Sequence, residues 1–172
     1  MLLEQVMAGL TPNPDYRGKI TNDDNVLAIN GSSPYDPDAP VDGYFVVQVS
    51  IEGVDASLNA ENSTKQYLRS GKSTTKTGTQ RTFSAKGDRF IGDEFQNYIF
   101  AHDRMYGVGQ DVVTDYVFFN VKNFKGEKGQ VSILVNSDGS GNAGATAAID
   151  VSLNKTGETP TEFTYGETDE TP

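Results

Sequence analysis

Residues 111–121 read DVVTDYVFFNV, and the fold follows from how their apolar side chains are spaced. Val113, Val117, Phe119 and Val121 fall on one side of an extended chain, the two-residue period of a half-buried strand. Val131, Ile133 and Val135 repeat the period. So do Ala147, Ile149, Val151 and Leu153, with Asp150, Ser152 and Asn154 pointing the other way. Upstream, Phe45, Val47, Val49 and Ile51 alternate with Val46, Gln48, Ser50 and Glu52, which predicts a further strand. The glycine-containing turns KNFKGEKG (122–129) and NSDGSGNAG (136–144) separate the later runs. Short alternating strands joined by such turns predict an antiparallel meander in a β-sandwich or barrel. Composition agrees: fifteen valines against eight leucines, and forty residues of Ser, Thr and Asn, favour strands and turns.

One segment departs from this period. In GDEFQNYIFAHDRMYG (92–107 with Ile91 before it), Ile91, Phe95, Tyr98, His102 and Met105 follow the 4-3-4-3 spacing of an amphipathic helix, predicting a single flanking helix at about 91–106. Residues 1–43 hold five of the seven prolines and read as an N-terminal arm and loops, with one short strand at Val26–Ile29. Residues 44–157 form the β-domain, and 158–172, with five acidic residues and no basic one, read as an acidic C-terminal tail. At 172 residues the chain fits one domain with extended arms.

Half of the fourteen basic residues lie between Glu61 and Phe90, in a Ser/Thr/Gly-rich segment that nearly lacks aliphatic residues from Ser70 to Thr82. This predicts a long basic hairpin whose tip leaves the core, because a 20-residue excursion from a compact domain needs a functional or a disordered explanation. The rest of the chain is strongly acidic, within an overall net charge of −10. Opposite charges on two parts of one subunit suit head-to-tail self-association. As a solvated loop the segment carries no function; as a contact element it makes Lys65, Arg69, Lys72, Lys76 and Arg81 the candidate subunit-contact residues.

Several functions are disfavoured. Net acidity opposes binding through phosphate neutralisation, no apolar run approaches the 18 residues of a membrane span, and the acidic, short apolar N-terminus predicts no signal peptide. With no cysteine and one histidine, thiolate sites and histidine-based catalysis have no material. Gly139–Gly144 spells GxGxxG, but a strand-like run follows it where a dinucleotide site needs a helix, so it reads as a hairpin turn. Asp36, Asp38 and Asp42, and the Asn136–Asn142 run, lack the ligand spacing of a calcium loop and read as turns. His102 reads as a core or interface histidine satisfied by one neighbour. The sequons at Asn30, Asn62 and Asn154 read as coincidences of an Asn/Thr-rich chain.

The run TFSAKGDRFIGDEFQNYI (82–99) resembles the major tail tube (tail shaft) proteins of long, non-contractile-tailed bacteriophages. So does YVFFNVKNFKGEKGQVSILVNSDGSGNAG (116–144) with its ending IDVSLNKTGETPTEFTY (149–165). The resemblance spans about Val41–Gly166 and is strongest from Phe83 onward. It implies a mainly β fold, a sandwich or barrel-like sheet with one flanking helix. It also implies hexameric rings whose sheets join into an inner barrel, stacked into a tube around a tape-measure protein. The implied partners are further copies of the chain, a tail terminator and baseplate or distal tail proteins. Double-stranded DNA would pass through without specific binding, and an acidic lining would repel it. The implied location is the virion, assembled in the host cytoplasm, with no catalysis and no cofactor. The alternative is a β-sandwich binding module for carbohydrate or a receptor; its aromatic candidates, Tyr16, Tyr35 and Tyr67, are scattered.

Overall fold

The structure is a computed structural model and describes residues 1–166. The element order is α1 (Leu3–Met7), β1 (Asn25–Ile29), β2 (Phe45–Val46), β3 (Ile51–Ser57), β4 (Ala60–Tyr67), β5 (Gly71–Thr79), β6 (Thr82–Asp88), α2 (Glu94–Ile99), α3 (His102–Tyr106), β7 (Val113–Asn120), β8 (Lys125–Ser140) and β9 (Ala148–Thr164). Seven strands form one antiparallel sheet in the order β2-β1-β7-β8-β9-β6-β3, and β4 pairs only with β5. No helix among the described residues is long and apolar enough to cross a membrane.

The sheet is not flat. β6 and β7 are separated by β8 and β9, which in a flat sheet would set them roughly 14 Å apart. Yet the Phe83 ring of β6 lies 5.1 Å from the rings of both Tyr116 and Phe118 on β7. The sheet therefore curls over on itself, and the two long strands β8 and β9 carry the bend. Lys128–Gln130 in β8 faces Thr156–Thr161 in β9, so Gly157–Pro160 loops out of the ladder at that point. Such a bulge increases local twist and turns a strand from one layer into the next.

The main core fills the inside of this curl. Leu27 and Ile29, Tyr116, Val131 and Ile133, Val151 and Leu153, and Phe83 and Ala85 pack there with Phe95, Tyr98 and Ile99 of α2. A second cluster lies on the other side of β1 and β7, where Val26, Ala28, Val117 and Phe119 meet Leu3 and Met7 of α1 with Tyr44, Val46 and Phe124. Gln96 fastens α2 to the sheet. Fully buried, its side-chain amide donates to Val49 O (2.9 Å) and Asp88 O (3.1 Å), and its oxygen accepts from Phe90 N (2.8 Å) and Arg89 Nη1 (3.2 Å). The full set of partners makes the burial of this polar group tolerable.

Four expectations change. The helix expected at 91–106 is two short helices. Asp93 caps the first by accepting from Gln96 N (3.1 Å), and Ala101 is extended (φ −64, ψ 142), which restarts the second on a new axis. Consequently His102 is exposed, with its ring tilted 41° to that of Tyr106 at 4.9 Å, while Arg104 is buried over the Tyr98 ring. The strand expected from Tyr44 to Glu52 is interrupted by a turn, with Ser50 at φ 56. Gly87 makes room for that turn, since a Cβ there would collide with Ser50 O and lie 2.8 Å from Ile51 Cα.

The N-terminal segment is more than an arm. β1 is interior to the sheet and buried on both faces, so its apolar run NVLAI is continuous rather than alternating. The acidic stretch expected as a tail is strand as far as Thr164. Phe163 and Tyr165 pack on Phe119, and the Tyr165 hydroxyl donates to Asp42 (2.7 Å). The remainder of that expected tail, 167–172, lies outside the described residues.

Two outcomes are expected from this packing. Leu3→Ala should lower stability by about 2–5 kcal/mol, measured by urea denaturation; a loss below about 0.5 kcal/mol would show that α1 is not part of the core. Burial raises the Tyr44 and Tyr116 hydroxyls. Burial, followed by acceptance of their hydroxyl hydrogen bonds by Asp115 and Asp42, pushes Tyr35 and Tyr165 up to about 12. Unfolded tyrosines ionise near 10, so the fold favours the neutral form. Stability should be full below pH 10 and fall as pH rises toward 12. A urea midpoint that is level across pH 10–12, or an equal decline in a Tyr35→Phe/Tyr165→Phe variant, would contradict this account.

Candidate assembly surface

The predicted hairpin is a two-stranded ribbon, β4–β5, that shares no ladder with the main sheet. Every residue of β4 is exposed, and in β5 only Gly71 and Gly78 are partly covered. Its turn spans Leu68–Ser70, with Arg69 at φ 68 and Gly71 at φ 77, a backbone region that glycine enters without strain. The register pairs Gln66 with Lys72, Thr64 with Thr74 and Asn62 with Lys76, so Lys72 and Lys76 share one face. The Thr64 and Thr74 hydroxyls, 3.0 Å apart, lie between them. Lys65 pairs with Ser73 and stands on the opposite face. Arg69 is at the tip, beside Leu68, which is 92% exposed, and Tyr67, which is 51% exposed.

Arg81 does not belong to this free surface. Its Nε donates to Glu127 Oε1 at 2.7 Å, its side chain is only 11% exposed, and its guanidinium sits over the rings of Phe83 (4.8 Å) and Phe118 (4.9 Å). The Tyr116 hydroxyl donates to the same Glu127 oxygen at 3.0 Å. Four of the five expected contact residues thus share the ribbon, and the fifth closes the curl of the sheet.

The sheet offers two further surfaces. On β3, β6, β9 and β8 the face away from α2 is polar. Asp55, Ser84, Ser152 and Leu134 lie in one cross-strand row, and Ser57, Thr82, Asn154 and Ser132 in the next. Lys86 reaches Asp150 at 3.5 Å, and Asn136 donates to Asp150 (3.1 Å) and Ser152 (2.8 Å). Alternation at Asp150, Ser152 and Asn154 is as the sequence predicts, but the face is mixed in charge rather than strongly acidic.

The second surface is the seam where the curled sheet stops short of closing. The β2 edge is covered by the N-terminus: Leu3 N donates to Tyr44 O (2.9 Å), and Val46 N to Met1 O (3.0 Å). β3 is the opposite edge, and a groove of about 350 Å³ lies between it and β1, β2 and α1. Sequence patterning gave no signal for this groove, because its walls come from segments far apart in the chain.

The remaining sequence candidates are not brought together. The Tyr16 hydroxyl donates to Lys19 O, that of Tyr35 to Asp115, and Tyr67 stands on the ribbon. Gly139–Gly144 ends β8 and enters the β8–β9 connection, and Asp36 accepts from Asp38 N (3.0 Å) in a local turn. Among the described residues, no group of three or more histidines and carboxylates is arranged to hold a metal.

No protein-family model and no curated protein matches this sequence. Solved structures do share its fold. A chain from the virion of a native gene transfer agent particle superposes with a TM-score of 0.57 at 14% identity, over 84% of this chain and 99% of that one. A chain from the tail of an empty gene transfer agent particle, refined with C6 symmetry, gives 0.54 at 17% identity, over 83% and 98%. A chain from the cap that terminates the anti-feeding prophage tube gives 0.54 at 11% identity, over 91% and 99%. At such identities the likeness is one of fold: the mainly β, antiparallel architecture is common to components of phage-like particles and their tails.

The two kinds of basic residue should separate on substitution. Arg81→Glu places a second carboxylate beside Glu127 and should cost about 3 kcal/mol or more. Lys76→Glu, on the solvated ribbon, should change stability by no more than about 0.5 kcal/mol. Thermal melting of the two variants tests this, and equal losses would refute the division.

Proposed function

We propose that this chain is a structural subunit of a phage-type tail tube. Six copies form a ring, and rings stack around a tape-measure protein. Terminator and baseplate or distal tail proteins close the ends, and double-stranded DNA later passes through the lumen. The subunit works in the virion, is assembled in the host cytoplasm, and contributes geometry rather than catalysis.

The observation that carries this reading is the ribbon. A lone two-stranded ribbon is marginal in water, and β4–β5 has no hydrophobic layer of its own beneath it. Its ordering and its basic charge make sense against a partner surface, and the acidic remainder of a second copy supplies one. The fold shared with chains of a gene transfer agent virion and tail supports the same assembly context. As the lumen side, the polar face of β3, β6, β9 and β8 fits the passage of DNA. On the β6–β9 part of this face Lys86 is held by Asp150, which lowers the positive charge available there to retain phosphates.

Purified full-length protein should form rings or tubes in negative-stain images and sediment with a concentration-dependent increase in mass. A monomer at every concentration would refute the reading. A Lys72→Glu/Lys76→Glu variant should keep the far-ultraviolet circular dichroism of the folded wild-type chain but give few or no tubes; tubes of wild-type length and number would exclude this face of the ribbon from assembly.

A further inference from the structure

We infer that the groove at the open seam of the sheet is the receptor for the ribbon tip of a second copy of this chain, with Leu68 as the side chain that enters it. This rests on the self-assembly reading and specifies which surfaces meet.

The groove is apolar within and acidic at its mouth. Val6, Leu10, Val26, Ile51, Val54 and Phe118 form its walls, and Asp23 and Glu52 are its only charged lining residues. A third carboxylate nearby, Asp24, is already engaged. The Thr21 backbone N–H and then Lys122, 3.1 Å away, hold it below the usual carboxylate range. Asp23 and Glu52 are exposed and have no salt bridge among the described residues. The β3 edge beside them has no strand partner on its outer side, and an unpaired edge next to an apolar groove is a surface that proteins ordinarily cover.

The ribbon tip is its complement. Leu68, at 92% exposure, is the most exposed large hydrophobic residue among those described, and it stands between Tyr67 and the cationic Arg69. An apolar knob flanked by a positive charge matches an apolar groove rimmed by negative charge.

The occupant must be another copy, on grounds of length. β4 contributes eight residues, so the tip stands roughly 26 Å or more from the ribbon root. Glu52 and Val54 lie on β3, which ends at that root at Ser57, roughly 10–17 Å away at strand spacing. Whichever way an intact ribbon leans, its tip overshoots its own groove. Knob and groove at separate places on one subunit make a heterologous contact, which propagates from copy to copy.

The absence of native cysteine makes a direct test available. Leu68→Cys and Glu52→Cys proteins, each first shown to melt like wild type and to assemble, are mixed and treated with a mild oxidant. Non-reducing gels should show a disulfide-linked dimer in the mixture and a ladder for the double variant, with neither species formed by Glu52→Cys alone. Leu68→Ala should weaken association about tenfold or more. Arg69→Glu should weaken it too, and Arg69→Glu combined with Glu52→Lys should recover part of the loss. If tubes form but the mixture gives no linked dimer, or Leu68→Ala assembles like wild type, the seam is not the receptor while the tube reading stands. If the wild-type chain does not assemble at all, both fall.

Discussion

Phe83 packs across the interior of the curled sheet, and the rest of the structure depends on that contact. Its ring meets Tyr116 and Phe118 across the interior, and Arg81 lies over Phe83 and Phe118 while bonding Glu127. Edge-on and tilted aromatic pairs of this kind add to the burial of their area. The guanidinium has its charge partner at the rim rather than alone in the core. Without this closure β6 and β3 would stand away from β1 and β7. The dry interior, the polar outer face and the seam would then not exist as separate surfaces.

The closure is incomplete, and that has a structural cause. β2 has two residues and is covered by the N-terminus, while β3 is drawn toward β6 at Gly87 and ends its ladder there. One edge is therefore protected from within the chain, and the other has no strand partner among the described residues. A modest apolar content is consistent with this arrangement: Leu, Ile, Val and Phe make up about 23% of residues, little above the range in which chains fail to form a core. In the assembly proposed above, contacts between copies would add to the stability of the single chain.

The basic segment illustrates how charge alone can mislead about position. Five residues close in sequence seemed equivalent, but the ladder separates them: Lys72 and Lys76 on one ribbon face, Lys65 on the other, Arg69 at the tip and Arg81 in the sheet. The deciding fact is where β5 ends, at Thr79, two residues before Arg81. Likewise, Ile91–Met105 has the spacing of one helix but yields two. The Asp93 cap and the extended Ala101 determine where each begins, and periodicity does not register either.

Local pattern determined the strand class of residues 113–121, 131–135 and 147–153, the short strand within 25–29, the hairpin and the glycine turns. In each of these, side-chain alternation or turn chemistry acts over a few neighbouring residues. The tertiary structure alone decided that β1 is interior, that residues 158–164 continue β9, that the sheet curls, and that a seam remains between β3 and β1. Those outcomes depend on contacts between residues far apart in the chain, such as Phe83 with Tyr116 and Asn22 with Val54. No periodicity encodes such pairs, because the free energy of a long-range contact exists only once the intervening chain has folded.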